Sequence, residues 1–146
     1  ALRKRFNPYA TNPADLHIDE FRKADPRQRE IFCATWTLAS LWSLAKGRAS
    51  ALTFYQTAGN QGILSKEGDP YPVYHVLKNL SPYQGRAVSI MESSDVLSVV
   101  AILLDGKVLA MANLTPEKRT VQWEELEFVL GPLETRFENL NRSEKS

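Results

Sequence analysis

Hydrophobic and polar positions follow two different rhythms along the chain. Up to about residue 82, short apolar runs alternate with longer helix-like stretches, in the order strand, helix, strand, helix that is typical of βα units. From residue 83 onward, the apolar positions fall into several short β-rich runs with little helical periodicity. The pattern therefore predicts two parts, residues 1–82 and residues 83–146.

The first part begins with alternating apolar and basic residues at 2–6, which predict a strand followed by a long irregular connection. Asp25 as N-cap and Pro26 as the first helical residue predict a helix that runs to about Lys46 and ends at Gly47. Apolar residues surround most of this helix, so we expect a sheet and neighbouring helices to cover it.

A second strand is predicted at residues 49–57, because residues 52–55 are β-branched and aromatic in character. A glycine-rich loop follows, and Tyr71-Pro72 opens a short helix through Leu80. Two βα units alone would leave a two-stranded parallel sheet with bare edges. Together with the strand-like start of the chain, which lacks Met, this predicts a piece cut from a larger barrel or sheet.

The second part contains a clear hairpin signal. Residues 96–104 and 107–113 flank Asp105-Gly106, a dipeptide that supplies the positive φ angles of a type I′ turn. Further strands are predicted at residues 86–91, 120–124 and 133–140. About five strands in this length predict a small antiparallel sandwich or barrel.

Composition narrows the possible functions. The 146 residues hold 18 Lys plus Arg against 17 Asp plus Glu, so a net charge of +1 gives no case for nucleic acid or an anionic membrane as partner. No apolar run approaches the ~20 residues of a membrane span. The lone Cys33 excludes an internal disulfide and a thiolate cluster, and its apolar neighbours favour a small buried side chain over a nucleophile. We expect no metal, no cofactor and a cytoplasmic location.

Two polar patches of the first part could bind a ligand. They comprise Arg3, Arg5 and Asn7 at the end of the first strand, and Tyr55, Gln56 and Asn60 at the end of the second strand and in its loop. In a (β/α) barrel the carboxyl ends of the strands build the active site, so both patches are predicted to face one pocket. The two arginines could hold a carboxylate, a lactone carbonyl or sugar hydroxyls. Alternatively they could be structural residues paired inside the barrel, and the sequence leaves both interpretations open.

Other residues with chemical potential favour structural roles. His17 lies among acidic residues whose spacing matches no strong metal motif, so a solvated loop is the better interpretation. His75 is predicted on the surface of the short helix. Trp123, Phe128 and Phe137 could form a sugar-stacking platform, but aromatic residues at strand spacing favour a core in so small a domain.

Five segments of the first part resemble the C-terminal part of the D-apionate lactonase family. They are LRKRFNPYAT (2–11), DPRQ (25–28), TWTLASL (35–41), TFYQTAG (53–59) and YPVYHVL (71–77). The family is similar to glycoside hydrolases, with a barrel followed by a β-sandwich, and it hydrolyses a branched-chain sugar lactone to its aldonate. The resemblance covers residues 1–82 and implies the last two βα units of a (β/α)8 TIM-type barrel. Residues 83–146 match only in pattern, through ANLTP at 112–116.

The chain departs from the family at two positions of its second patch. Gln56 stands where the family pattern has a glutamate, and Asn60 stands where an aromatic residue is expected. A carboxylate can act as general acid or base near neutral pH, whereas an amide cannot. Either the chemistry rests on carboxylates of other barrel strands and Gln56 only binds, or the activity is altered or lost. The catalytic residues themselves stay unassigned.

Two functions are compatible with these observations. The chain could be an inactive fragment of a carbohydrate-active hydrolase, with a sugar or sugar lactone and the remainder of the barrel as its partners. It could instead be a non-catalytic carbohydrate-binding or interaction module. The apolar helix favours the fragment, because a free-standing module has no use for it. Its apolar surface also predicts that the chain alone self-associates.

Overall fold

A computed structural model of the chain describes residues 25–140. The first of these residues form two α-helices, two short strands and two 3-10 turns: Pro26–Arg29 (3-10), α1 Ile31–Lys46, β1 Gln56–Ala58, β2 Gly62–Leu64, α2 Pro72–Leu80 and Ser81–Tyr83 (3-10). Six strands follow: β3 Val88–Met91, β4 Val99–Leu104, β5 Val108–Asn113, β6 Arg119–Trp123, β7 Leu126–Leu130 and β8 Thr135–Asn139. Helix and strand content is therefore mixed, and the sheets of the second part are antiparallel.

The predicted start of the long helix is a separate 3-10 turn. Asp25 caps this turn, since its carboxylate accepts the backbone N–H of Arg27 at 2.9 Å and the guanidinium of the same residue at 2.6 Å. Glu30 then adopts an extended conformation, with φ −102° and ψ 167°, and interrupts the helical backbone. Hence α1 begins at Ile31, five residues after the predicted start, and it ends at the predicted Lys46.

The predicted buried strand at residues 49–57 is wrong. Residues 51–55 have no regular structure, and β1 consists of three residues that are all exposed. Its parallel partner is β2, with Gln56 opposite Gly62. The aromatic residues that suggested a strand make side-chain contacts instead, as Phe54 stacks on Tyr55 with ring centroids 5.8 Å apart. Strand propensity at these positions reflects side-chain packing and not a backbone ladder.

The predicted hairpin is confirmed. Strands β4 and β5 pair in antiparallel register from Val99 opposite Asn113 to Leu104 opposite Val108. Asp105 and Gly106 have φ angles of 51° and 65°, the left-handed conformation that a type I′ turn requires at both central positions. The hairpin forms the middle of a four-stranded antiparallel sheet of order β3-β4-β5-β8.

Strands β6 and β7 form a second, two-stranded sheet. The sequence predicted β6 but missed β7, although Leu126, Phe128 and Leu130 alternate there with outward-facing residues. Glutamates around and within this run masked its apolar period. The second part therefore contains six strands within the described residues, one more than expected.

The centre of the four-stranded sheet is buried on both faces. On one face Ile102 and Ala110 belong to a core with Leu38 of α1 and Val76 of α2. On the other face Leu109 and Met111 pack with Phe128 and Leu130 of β7. The two helices and the sheet thus share one hydrophobic core, and α1 lies between α2 and the sheet.

Part of α1 is not covered by the described chain. Ile31, Trp36 and Leu44 retain 45%, 41% and 42% of their surface exposed. The expectation that the helix is packed on most sides is thus met on the faces toward the sheet and α2 only. Among residues 25–140, no helix is long and apolar enough to cross a membrane.

Candidate functional site

The second predicted patch lies on the short, tight loop that joins the parallel strands β1 and β2. The backbone N–H of Gly59 donates to the carbonyl of Leu64 at 2.9 Å, and Gly62 donates to the carbonyl of Gly59 at 3.0 Å. A Cβ atom on Gly62 would lie 2.6 Å from the carbonyl carbon of Ala58, well inside van der Waals contact. Only glycine allows the two backbones to approach so closely, and the turn fixes the position of the strand end that carries Gln56.

Two side chains of the 3-10 turn Pro26–Arg29 anchor this loop. Gln28 is fully buried, and its Nε2 donates to the carbonyl oxygen of Gly62 at 3.1 Å. Arg29 donates from Nη2 to Oδ1 of Asn60 at 2.6 Å, and its guanidinium carbon lies 6.0 Å from the ring centre of Tyr71. We call Arg29, Gln56, Asn60 and Tyr71 the β1 patch. The sequence did not single out Arg29 or Gln28 as site residues, because the segment around them was interpreted as a helix start and as one of the segments that resemble the family.

Gln56 and Asn60 are both exposed, whereas Tyr55 turns into the helix layer. The Tyr55 hydroxyl lies 2.5 Å from Oγ1 of Thr37 and 3.5 Å from Sγ of Cys33. Since the Thr37 hydroxyl donates to the carbonyl of Cys33 at 2.6 Å, it accepts from Tyr55, which in turn accepts from the thiol. This continuous hydrogen-bond chain tethers the segment before β1 to α1.

Burial determines the protonation of that chain. It raises the pKa of the Tyr55 phenol and that of the Cys33 thiol, because a charged form would lose its hydration. Both groups are therefore protonated near neutral pH, in agreement with the predicted role of Cys33 as a small buried side chain. The predicted contact of Tyr55 with substrate stays a prediction, and the described contacts of its hydroxyl are with α1.

The first predicted patch, Arg3, Arg5 and Asn7, lies outside the described residues, as does His17. Whether the arginines face Gln56 stays a prediction. His75 is exposed on α2, with its ring edge-on to Tyr74 at 5.5 Å, as predicted for a helix surface. Within residues 25–140, no group of three His, Cys, Asp or Glu side chains could hold a metal ion.

Comparison with known families shows to which family this chain belongs. A family model for the TIM barrel domain of D-apionate lactonase matches residues 1–85. The chain belongs to this family. The matched span includes both predicted patches, and it confirms the resemblance seen in the sequence. No curated protein and no solved structure matches the chain.

The lactonase match divides the described elements. Helices α1 and α2 and the β1–β2 turn lie inside the matched span, whereas β3 to β8 lie beyond it. The β1 patch thus belongs to the part of the chain that matches the D-apionate lactonase domain, and the strands of the second part lie outside that match.

The β1 patch has the chemistry of a binding surface. The amides of Gln56 and Asn60 can each donate and accept hydrogen bonds, and the guanidinium of Arg29 donates only. The two amides cannot act as a general acid or base near neutral pH. The patch is therefore suited to holding hydroxyl, carbonyl or carboxylate oxygens, and proton transfer would require groups from elsewhere in the barrel.

Proposed function

We propose that the chain is the C-terminal part of a sugar-lactone hydrolase and is inactive on its own. In this proposal residues 1–82 supply the last two βα units of a (β/α)8 barrel, and residues 83–146 form a small β-sandwich. The observation that carries it is the family match over residues 1–85. A complete barrel takes about 250 residues, so the matched span accounts for roughly a third of one. The remainder of the barrel is the partner that completes the site.

Lactone hydrolysis defines what the β1 patch would contribute. Water attacks the carbonyl carbon, an oxyanion forms, and the ring C–O bond breaks to give a carboxylate and a hydroxyl. Fixed donors near the developing oxyanion or the sugar hydroxyls lower this barrier. Gln56, Asn60 and Arg29 are such donors, with Arg3, Arg5 and Asn7 proposed to face them across the pocket and Tyr55 beside them. The general base would be a carboxylate of another strand, since Gln56 replaces the family glutamate with an amide.

The proposal includes no cofactor, because ester hydrolysis needs only water, a base and an oxyanion donor. Its small-molecule partner is a sugar or a sugar lactone. A cytoplasmic location is part of the proposal, as the single buried thiol is compatible with a reducing compartment.

The decisive experiment compares lactone hydrolysis by variants of the full-length protein that contains this chain. Gln56→Glu should change kcat/KM on D-apionolactone by more than tenfold, about 1.4 kcal/mol in barrier, because it places a titratable group in the pocket. Gln84→Glu is the matched control, since it makes the same chemical change at an exposed position after the 3-10 turn Ser81–Tyr83. Its kinetics should be unchanged.

Two results would contradict the proposal. Equal kinetics of Gln56→Glu and the parent on a panel of sugar lactones would mean that Gln56 is structural and that the chemistry lies on another strand. Lactone hydrolysis by the 146-residue chain alone would show that it is not an inactive part. The alternative function, a non-catalytic carbohydrate-binding module, draws its support from a groove in the second part of the chain, and the two functions are compatible in one protein.

A further inference from the structure

A groove opens on the side of the four-stranded sheet that faces away from the helices. Strands β6 and β7 cover this side with a layer that is only two strands wide. Because neighbouring strands lie about 4.8 Å apart, this layer is narrower than the four-stranded sheet and leaves part of it open. The resulting space has a volume of about 270 Å³. Its floor is apolar and includes Met91, Val99, Ala101 and Leu109 of the larger sheet, and Val121 of β6 lines the groove from the covering layer. The β1 patch does not contribute to its lining.

Trp123 lines this groove from the end of β6. The burial alternation of β6 places it on the same face as Arg119 and Val121, toward the larger sheet. Its ring packs against the core around Leu109 and Phe128 but stays partly accessible. The sequence predicted Trp123 as core. The structure confirms that contact and adds an accessible surface in the groove.

The opposite rim is the loop between β3 and β4, which Asp95 holds in place. Its carboxylate accepts the backbone N–H of Leu97 at 3.2 Å and the hydroxyl of Ser98 at 2.5 Å. The Ser98 hydrogen bond is the main reason that the pKa of Asp95 lies below its usual value, so the carboxylate is ionised at neutral pH. An ordered loop with a fixed negative charge thus lines the groove together with Trp123.

The charges of the groove give no preference for strongly anionic ligands. Asp95 and Glu92 contribute two carboxylates, and the Glu92 side chain is 78% exposed. Arg119 contributes one guanidinium, which already pairs with Glu117 at 3.5 Å and donates to the hydroxyl of Thr115 at 3.2 Å. Glu92 in turn pairs with Lys46 at 3.6 Å, so both cations near the rim are already engaged by carboxylates and neither is free to attract an aldonate or a phosphate.

We propose that this groove binds a neutral monosaccharide. A sugar ring has an apolar face of C–H groups, which matches the Trp123 ring and the floor, and a rim of hydroxyls that both donate and accept. The carboxylates of Asp95 and Glu92 can accept from such hydroxyls. A volume of about 270 Å³ lies just below the ~300–1,000 Å³ of most small-molecule sites, as suits one sugar ring. This site is separate from the β1 patch and does not depend on lactone hydrolysis.

The test is a titration of the 146-residue chain followed through its tryptophan indole N–H signals in 15N NMR. The chain has three tryptophans, of which Trp123 lines the groove, and Trp36 is the internal reference because the indole of Trp42 donates to the carbonyl of Met91 in the groove lining. D-glucose, D-galactose and D-xylose are the neutral probes, and D-gluconate is the anionic comparison. At least one neutral sugar should shift the Trp123 signal saturably and leave that of Trp36 unchanged, with gluconate weaker.

Two variants and a matched control test whether the sugar binds in this groove. Trp123→Ala should lower the association constant at least tenfold and Glu92→Ala severalfold, both measured by isothermal titration calorimetry because Trp123→Ala removes its own NMR signal. Glu92 is exposed and its truncation leaves the core intact, so it keeps the test valid if Trp123→Ala does not fold. Trp36→Ala removes an exposed tryptophan of α1 outside the groove and should leave binding unchanged. The absence of a saturable Trp123 shift with every neutral sugar, or tighter binding of gluconate, would overturn the proposal.

Discussion

Asn113, the last residue of β5, ties three segments of the chain together although its side chain is short. It is fully buried, and its Nδ2 donates to the carbonyls of Glu117 at 2.6 Å and Gly131 at 2.7 Å. Its Oδ1 accepts from the backbone N–H of Thr115 at 3.0 Å and from the hydroxyl of that residue at 2.8 Å. Both amide hydrogens and both lone pairs are therefore used, so the environment is specific for asparagine.

Replacement of this residue should be among the most damaging polar substitutions in the sheet. Asn113→Ala leaves two carbonyls without their donors, and we expect a loss of about 2–4 kcal/mol in the free energy of unfolding, measured by urea titration. Asn113→Asp should cost at least as much, because it turns a carboxylate oxygen toward those carbonyls. Asn79→Ala, at an exposed position of α2, serves as control and should change stability by less than ~0.5 kcal/mol. An unchanged urea midpoint for Asn113→Ala would contradict this account.

Cys33 should be chemically silent while the chain is folded. It has no exposed surface, and burial raises the pKa of its thiol, so the reactive thiolate is scarce. A chromogenic disulfide reagent at mildly alkaline pH should react slowly with the native chain and rapidly in denaturant. Cys33→Ala combined with Ser50→Cys provides the comparison, because position 50 is exposed and its thiol should react at once. Equally fast reaction of Cys33 in the native chain would show that the helix layer opens readily.

The same raised pKa sets the direction of a pH effect on stability. The thiol of the unfolded chain ionises near its ordinary pKa of about 8.5, below the value in the folded chain. The contribution of the neutral Cys33 thiol to the free energy of unfolding is thus complete below the ordinary thiol pKa. It is lost as the pH rises toward the pKa of the thiol in the folded chain. Tyr55 has a raised pKa for the same main reason and acts in the same direction at higher pH.

At the scale of elements, local chemistry marked some boundaries and tertiary contacts decided others. The β4–β5 hairpin was predictable because Asp105-Gly106 itself adopts the required positive φ angles. The end of α1 and the start of α2 were predictable from Gly47 and Pro72. The strand predicted at residues 49–57 failed because aromatic residues favour any half-buried surface. Only the neighbouring backbone decides whether a ladder forms, and that information is not local.

The candidate site shows the same division. Gln56 and Asn60 could be found from their place after an apolar run, and the structure puts both on an exposed surface. Arg29 and Gln28 could not, because their contacts with Asn60 and Gly62 span 31 and 34 residues. The groove at Trp123 was also beyond sequence reasoning, because it arises from the unequal widths of two sheets. Periodicity shows which face of a strand is apolar, but not whether another layer fully covers that face.

The β1–β2 turn should depend on Gly62 more than its small size suggests. A methyl group there would meet backbone atoms of Ala58 at 2.6 to 2.8 Å, and backbone cannot swing aside as a flexible side chain can. Gly62→Ala should therefore separate β1 from β2 and weaken the hydrogen bond from Gln28, at a cost of about 1–3 kcal/mol. Gly47→Ala, where φ is −76° and the nearest atom lies at 3.3 Å, is the milder control. Equal unfolding midpoints for the two variants would argue against a strict requirement for glycine at position 62.

At the scale of the whole molecule, the described chain is a sheet with helices on one face and a narrower hairpin on the other. Each outer layer leaves part of its surface incomplete. The hairpin leaves the groove beside Trp123, and the helix layer leaves Trp36 and Leu44 about 42% exposed. In an α-helix these two positions, eight residues apart, lie about 80° apart around the axis, so they border one side of α1. In a complete barrel, neighbouring helices would cover such a surface.

Without those neighbours, the 146-residue chain should self-associate through α1. When two copies meet, the apolar side chains on this side of the helix leave water, and each Å² of apolar surface that they bury stabilises the dimer by about 25 cal/mol. Sedimentation velocity should show a concentration-dependent rise in mass, and a hydrophobic dye should bind. Trp36→Gln with Leu44→Gln should shift the equilibrium toward monomer. Val129→Gln, which removes a 50% exposed valine from the opposite layer, should not. A clean monomer at high concentration without dye binding would mean that this side of α1 needs no partner, which would also weaken the case for a missing barrel wall.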